Sequence, residues 1–113
     1  MYVVWLEKVP NGPYRVMLAS SNDRDITFAE PKVLIENAMA QTFPKVSAFD
    51  EHVYVSWNVD DEGSTTDSGV FFLASADNGA TFSNVTKLNR GERDYGEPQV
   101  TSYADRVYVM WGR

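Results

Sequence analysis

The chain repeats itself, and that limits its folds more than any other feature. PKVSAFDEHVYVSW, residues 44–57, aligns without a gap on PQVTSYADRVYVMW, residues 98–111, at an offset of 54. The alignment sets Pro44 on Pro98, Val46 on Val100, Tyr54 on Tyr108 and Trp57 on Trp111. Upstream, VMLASSNDRDITF (16–28) matches VFFLASADNGATF (70–82) at the same offset, and MYVVW (1–5) matches VYVSW and VYVMW. Only the loop after the tryptophan differs, being two residues longer in the second unit. A repeat of this size is one supersecondary unit that cannot bury its own apolar face, so it must stack on its neighbours.

Alternating apolar and polar positions, with β-branched and aromatic residues, predict nine short strands. They fall at 2–6, 14–19, 32–35, 45–49, 53–57, 70–74, 85–88, 99–103 and 107–111. Turn-rich pieces separate them: VPNGP (9–13), NVDDEGSTTDSG (58–69) and NRGERDYGEP (89–98). The window IENAMAQTF (35–43) has helical propensity but hardly two turns of length, and reads as a loop with at most a short helical turn. One unit therefore holds four strands: A (44–49), B (53–57), C (70–74) and D (85–88). Four-stranded antiparallel units of this length have the size of a propeller blade. The expected fold class is all-β, with about two β-propeller blades in a single segment spanning 1–113. Strands B to D of a first blade occupy about 1–36, a whole second blade 44–89, and the start of a third 98–113.

The stretch SADNGATF (75–82) is the turn between strands C and D. In it Asp77 can accept backbone N–H bonds, Gly79 can take positive φ, and the Ser75 hydroxyl can serve neighbouring backbone groups. Thr81 precedes Phe82, whose ring is expected to tuck beneath the turn. The first copy keeps Ser21, Asp23, Thr27 and Phe28 but carries Asp25 where glycine stands in the second. Aspartate is among the few residues that tolerate the left-handed region, so the turn is expected to survive with some strain.

Ser-x-Asp-x-Gly-x-Thr-Phe after a third strand resembles the Asp-box, or BNR repeat, of sialidase-like β-propellers, and the VYVxW strands resemble blades of that superfamily. The resemblance covers nearly the whole chain. It implies that the box lies on the propeller face opposite the active site and that Ser75, Asp77, Gly79, Thr81 and Phe82, with their first-copy counterparts, are structural. Sialidases of the family hold a substrate carboxylate with three arginines, one of them in a Phe/Tyr-Arg-Ile-Pro motif, and use a Tyr/Glu pair with an aspartate acid/base. This sequence has no such motif; Arg15, Arg24, Arg90, Arg93, Arg106 and Arg113 all stand in other contexts.

The chemistry written elsewhere in the chain is sparse. A net charge of −6 lacks the basic footprint that nucleic acids and anionic membranes attract. No apolar run reaches the roughly 18 residues of a membrane span, and the absence of cysteine removes thiolate chemistry while leaving the compartment undecided. Asp60, Asp61, Glu62 and Asp67 supply paired carboxylates but lack the alternate spacing of a calcium loop, and they read as a solvated turn. His52, the sole histidine, has no evident catalytic partner. Trp5, Trp57 and Trp111 share one repeat position and read as packing residues rather than sugar platforms. Asn84-Val85-Thr86 fits a glycosylation sequon, a tripeptide common by chance. No catalytic residue, metal ligand or cofactor site is assigned. The loop RGERDYGE (90–97) mixes charges with an aromatic on the expected ligand face, which makes Arg90, Arg93, Asp94 and Tyr95 the candidate binding residues.

The order B-C-D, A-B-C-D, A-B leaves both outer blades short of strands. The expectation is a homo-oligomer in which residues 99–103 and 107–111 of one copy complete the first blade of the next. Three copies would give six blades and four would give eight, with one B strand displaced or added at each junction. The alternative is a piece of a longer propeller chain. Glycan or protein ligands on the loops are compatible with either arrangement.

Overall fold

The computed structural model describes residues 1–21, 28–38, 42–59, 69–88, 98–104 and 106–111. Among them the chain is all-β, with nine strands and no helix. The strands are β1 (Tyr2–Lys8), β2 (Tyr14–Ser20), β3 (Lys32–Ala38), β4 (Lys45–Phe49), β5 (His52–Val59), β6 (Gly69–Ser75), β7 (Thr86–Lys87), β8 (Gln99–Tyr103) and β9 (Arg106–Met110). They form three antiparallel meanders: β1-β2-β3, β4-β5-β6-β7 and β8-β9. All nine expected strands are present. The window at 35–43 is corrected, because β3 continues to Ala38, where Tyr14 pairs with it across a β-bulge. Strand pairing there overrides the local helical propensity. Residues 39–41 of that window lie outside the described residues.

The registers repeat with the sequence. Trp5↔Met17 in the first sheet corresponds to Trp57↔Phe71 in the second, Met17↔Val33 to Phe71↔Lys87, and Val46↔Val55 to Val100↔Val109 in the third. The irregular link into the last strand repeats as well: Ala29 N–H donates to the Ser20 carbonyl at 2.8 Å, and Ser83 N–H to the Ala74 carbonyl at 2.7 Å. A one-residue slip in either copy would turn its apolar set to the wrong face, so shared register means shared faces.

Side chains alternate across each sheet. Val53, Val55, Trp57 and the cross-strand neighbour Leu73 form the front face of the second sheet, and all four are buried. Tyr2, Val4, Leu34 and Ile35 of the first sheet pack against them, as does Phe82. Burying a side chain of this size contributes about 1.5–3 kcal/mol. This core therefore outweighs the cross-strand pair Arg15–Glu7, 2.9 Å apart and half-exposed, since such pairs contribute about 0–1 kcal/mol.

The back face of the second sheet meets the third. Ser47 Oγ and Ser102 Oγ share a hydrogen bond of 2.7 Å, and Phe72 and Leu88 line a cavity of about 310 Å³ with Val107, Val109 and Trp111. The three sheets thus stack in chain order, the back of each on the front of the next. Tight turns keep the strands in line. Val9-Pro10-Asn11-Gly12 closes with a Gly12 N–H to Val9 carbonyl bond of 3.0 Å, with Pro10 supplying its fixed φ and Asn11 a φ of 58°. Asp50 (φ 53°) and Ala104 (φ 56°) occupy the same first loop position in the equivalent hairpins β4-β5 and β8-β9.

Candidate functional site

The most fully built polar feature is the turn at 75–82. The Ser75 hydroxyl donates to Asp77 Oδ1 at 2.6 Å and accepts the N–H groups of Asp77 and Gly79 at 3.3 and 2.9 Å. Asp77 Oδ1 accepts the Thr81 N–H at 2.9 Å, and Oδ2 accepts the Thr81 hydroxyl at 2.5 Å. One carboxylate and one hydroxyl therefore satisfy most of the donors that a reversing chain leaves unpaired. Hydrogen bonds from the Ser75 hydroxyl, then from the Thr81 hydroxyl and N–H, hold the Asp77 carboxyl well below the usual carboxylate range. Gly79 takes φ 84°, and Asn78 before it takes 60°. The Phe82 ring lies beneath the turn, 3.9 Å from where a Gly79 Cβ would stand, and packs on the core.

The turn is fixed from outside as well. Asn78 N–H donates to the Glu51 carbonyl at 2.9 Å, which ties it to the β4-β5 hairpin. From the first sheet, Lys32 Nζ donates to the carbonyls of Gly79 and Ala80 at 2.7 and 3.1 Å, and the Tyr2 hydroxyl to that of Asn78 at 3.4 Å. Sequence reasoning missed Lys32, Tyr2 and Glu51. Their contacts span 27 to 76 residues along the chain, and only the stacking of sheets brings them to the turn. The Ser75 hydroxyl and the Asp77 carboxylate accept backbone N–H groups of the turn, and the Thr81 hydroxyl fixes that carboxylate, an arrangement suited to structure rather than to proton transfer.

The first-copy turn is described only at its ends. Ser21 is buried, its N–H bonded to the Met1 carbonyl at 2.9 Å, and Phe28 is exposed. Asp23, Asp25 and Thr27 lie outside the described residues, as do the candidate binding residues Arg90, Arg93, Asp94 and Tyr95 and the carboxylates Asp60, Asp61, Glu62 and Asp67. His52 stacks on Tyr54, ring centroids 6.1 Å apart. The tryptophans divide: Trp57 is in the core, whereas Trp5 is partly buried and lines an open groove with Val3, Ala19, Phe28 and Pro31. Among the described residues no group of three or more His, Asp or Glu is placed to hold a metal ion. A smaller recess of about 200 Å³ is lined by Val9, Pro13, Arg15 and Glu36, with Arg15 turned toward Glu7 and its Nε buried. It is another feature that the sequence reading passed over. No family model, curated protein or solved structure matches the chain.

Proposed function

We propose that this chain is a non-catalytic blade module of a β-propeller, whose work is assembly and the presentation of loops to a protein or glycan. The observation that carries the reading is the sameness of the units: equivalent registers recur in successive sheets, and each sheet lays its back on the next one's front. Stacked antiparallel meanders with repeating faces are how blades pack. The turn at 75–82 supports the resemblance to the Asp-box, since its serine and aspartate accept backbone N–H groups and its threonine hydroxyl holds the aspartate. On this reading the segments expected as loops from the sequence, 58–69 and 89–98, carry recognition, and the turn carries none.

Fluorogenic sialoside hydrolysis tests the absence of catalysis. The expected result is turnover no faster than the buffer blank. Turnover that disappears in Arg90→Ala or Arg93→Ala would overturn the reading in favour of a sialidase-like glycoside hydrolase.

A further inference from the structure

Among the described residues two apolar surfaces are left open, and the repeat shows what fits each. The front face of the first sheet is a groove of about 410 Å³ lined by Val3, Trp5, Ala19, Phe28, Ala29 and Pro31. In the second sheet the equivalents of Val3, Trp5, Ala19 and Phe28 are Val55, Trp57, Leu73 and Phe82, the surface on which Tyr2 and Val4 of β1 pack. Tyr2 and Val4 correspond in turn to Tyr108 and Met110 of β9, which stand on the uncovered back of the third sheet. The exposures mark these as unfilled positions. Tyr54 is 7% exposed and Ser56 0%, while their counterparts Tyr108 and Met110 are 52% and 67% exposed.

We infer that a second copy of this chain docks here, seating Tyr108 and Met110 of one molecule in the Val3, Trp5 and Phe28 groove of the next. The inference deepens the assembly part of the blade reading and rests on it for the equivalence of faces. Its template lies within the molecule, because the contact of Tyr2 and Val4 with the Val55, Trp57 and Leu73 surface is the same contact made within one chain. In that template the occupant presents a tyrosine and a second apolar residue two positions on from it, on a strand flanked by a sheet of matching register. The third sheet of another copy meets that requirement. The two surfaces are different patches, so the contact is heterologous and runs head to tail, toward a ring or a filament. No strand has to leave its sheet for it to form.

Light scattering after size exclusion tests the docking with three proteins. The wild-type chain is expected to exceed one chain mass. Met110→Glu and Phe28→Glu each place a charge on one of the two faces and are expected to weaken association by roughly 30-fold or more. Both side chains are exposed in the single molecule, and circular dichroism verifies that the variants fold. Val33→Glu, on the groove side, replaces Phe28→Glu should that variant unfold. Mixed in equal amounts, a Met110→Glu chain and a Phe28→Glu chain are expected to form a dimer and nothing larger, because each keeps one intact face. A wild-type monomer at about 1 mM, an oligomer indifferent to both substitutions, or a mixture that stays monomeric would overturn the inference. None of those results bears on sialoside turnover, which tests the blade reading separately.

Discussion

Asp77 anchors its turn as an anion, and that gives the turn a pH dependence. Its carboxyl is held below the usual range by Ser75 and Thr81, whereas in the unfolded chain it titrates at about 3.9. The contribution of the ionised group is therefore complete above that value and is lost as pH falls toward the lower folded one. The Asp77→Asn variant should lose less stability than wild type between pH 5 and pH 2, measured as the urea midpoint at each pH. The difference will be modest, because Asp77 is exposed and water screens it. At Gly79 the constraint is the backbone. An added Cβ would stand 3.7 Å from Leu18 and Tyr2, which is ordinary contact, but at φ 84°. Gly79→Val should cost about 1–2 kcal/mol and Gly79→Asn clearly less, read from denaturation midpoints. Ala104 carries the opposite signature, a φ of 56° on a residue that gains nothing from it. Ala104→Asn should stabilise the β8-β9 hairpin by up to about 1 kcal/mol in the same assay.

At the level of elements, equal sequence does not mean equal energy. Trp57 and Trp111 are repeat partners, yet Trp57 is 3% exposed against the first sheet and Trp111 37% beside a cavity. Trp57→Ala should cost about 3–5 kcal/mol and Trp111→Ala about half that or less, by thermal or chemical denaturation. The strands were legible in the sequence because alternation is local, and the turn at 75–82 because its bonds join residues two to four apart. The end of β3 was not legible. Residues 36–38 read as loop with at most a helical turn, and only pairing with Tyr14 makes them strand. Lys32 at the turn and Val3 and Trp5 in the groove escaped for a related reason, since their roles depend on which sheet face meets which. Of the candidate site, the local bonds of the turn at 75–82 were legible, while Asp23, Asp25 and Thr27 of the first copy and Arg90, Arg93, Asp94 and Tyr95 lie outside the described residues.

At the scale of the whole molecule, strand counting and face matching describe two different oligomers. In the first, β8-β9 of one copy completes the first sheet of another, so either β1 or β9 gives way or the sheet gains a fifth strand. β1 is paired with β2 at all seven of its positions, and displacing it would break that ladder. Face docking breaks no pairing, which favours it over any completion that displaces β1. Backbone amides separate the two. Tyr103 and Arg106 close a two-residue hairpin loop, so Tyr103↔Arg106, Thr101↔Tyr108 and Gln99↔Met110 are the pairs that exchange hydrogen bonds. The N–H groups of Val107 and Val109 then point away from β8, toward an edge at which β9 has no other strand among the described residues. Completion of a shared sheet through β9 would pair those two amides with a strand of the next copy. Docking by faces would cover the Tyr108 and Met110 side chains and leave the same amides at an open edge. Hydrogen exchange on the assembled protein, read residue by residue by NMR, should therefore find Val107 and Val109 exchanging rapidly while Val53 and Val55, paired on both sides within β4-β5-β6, exchange slowly. Slow exchange at Val107 and Val109 that appears only on association would instead establish strand completion as the mode of assembly.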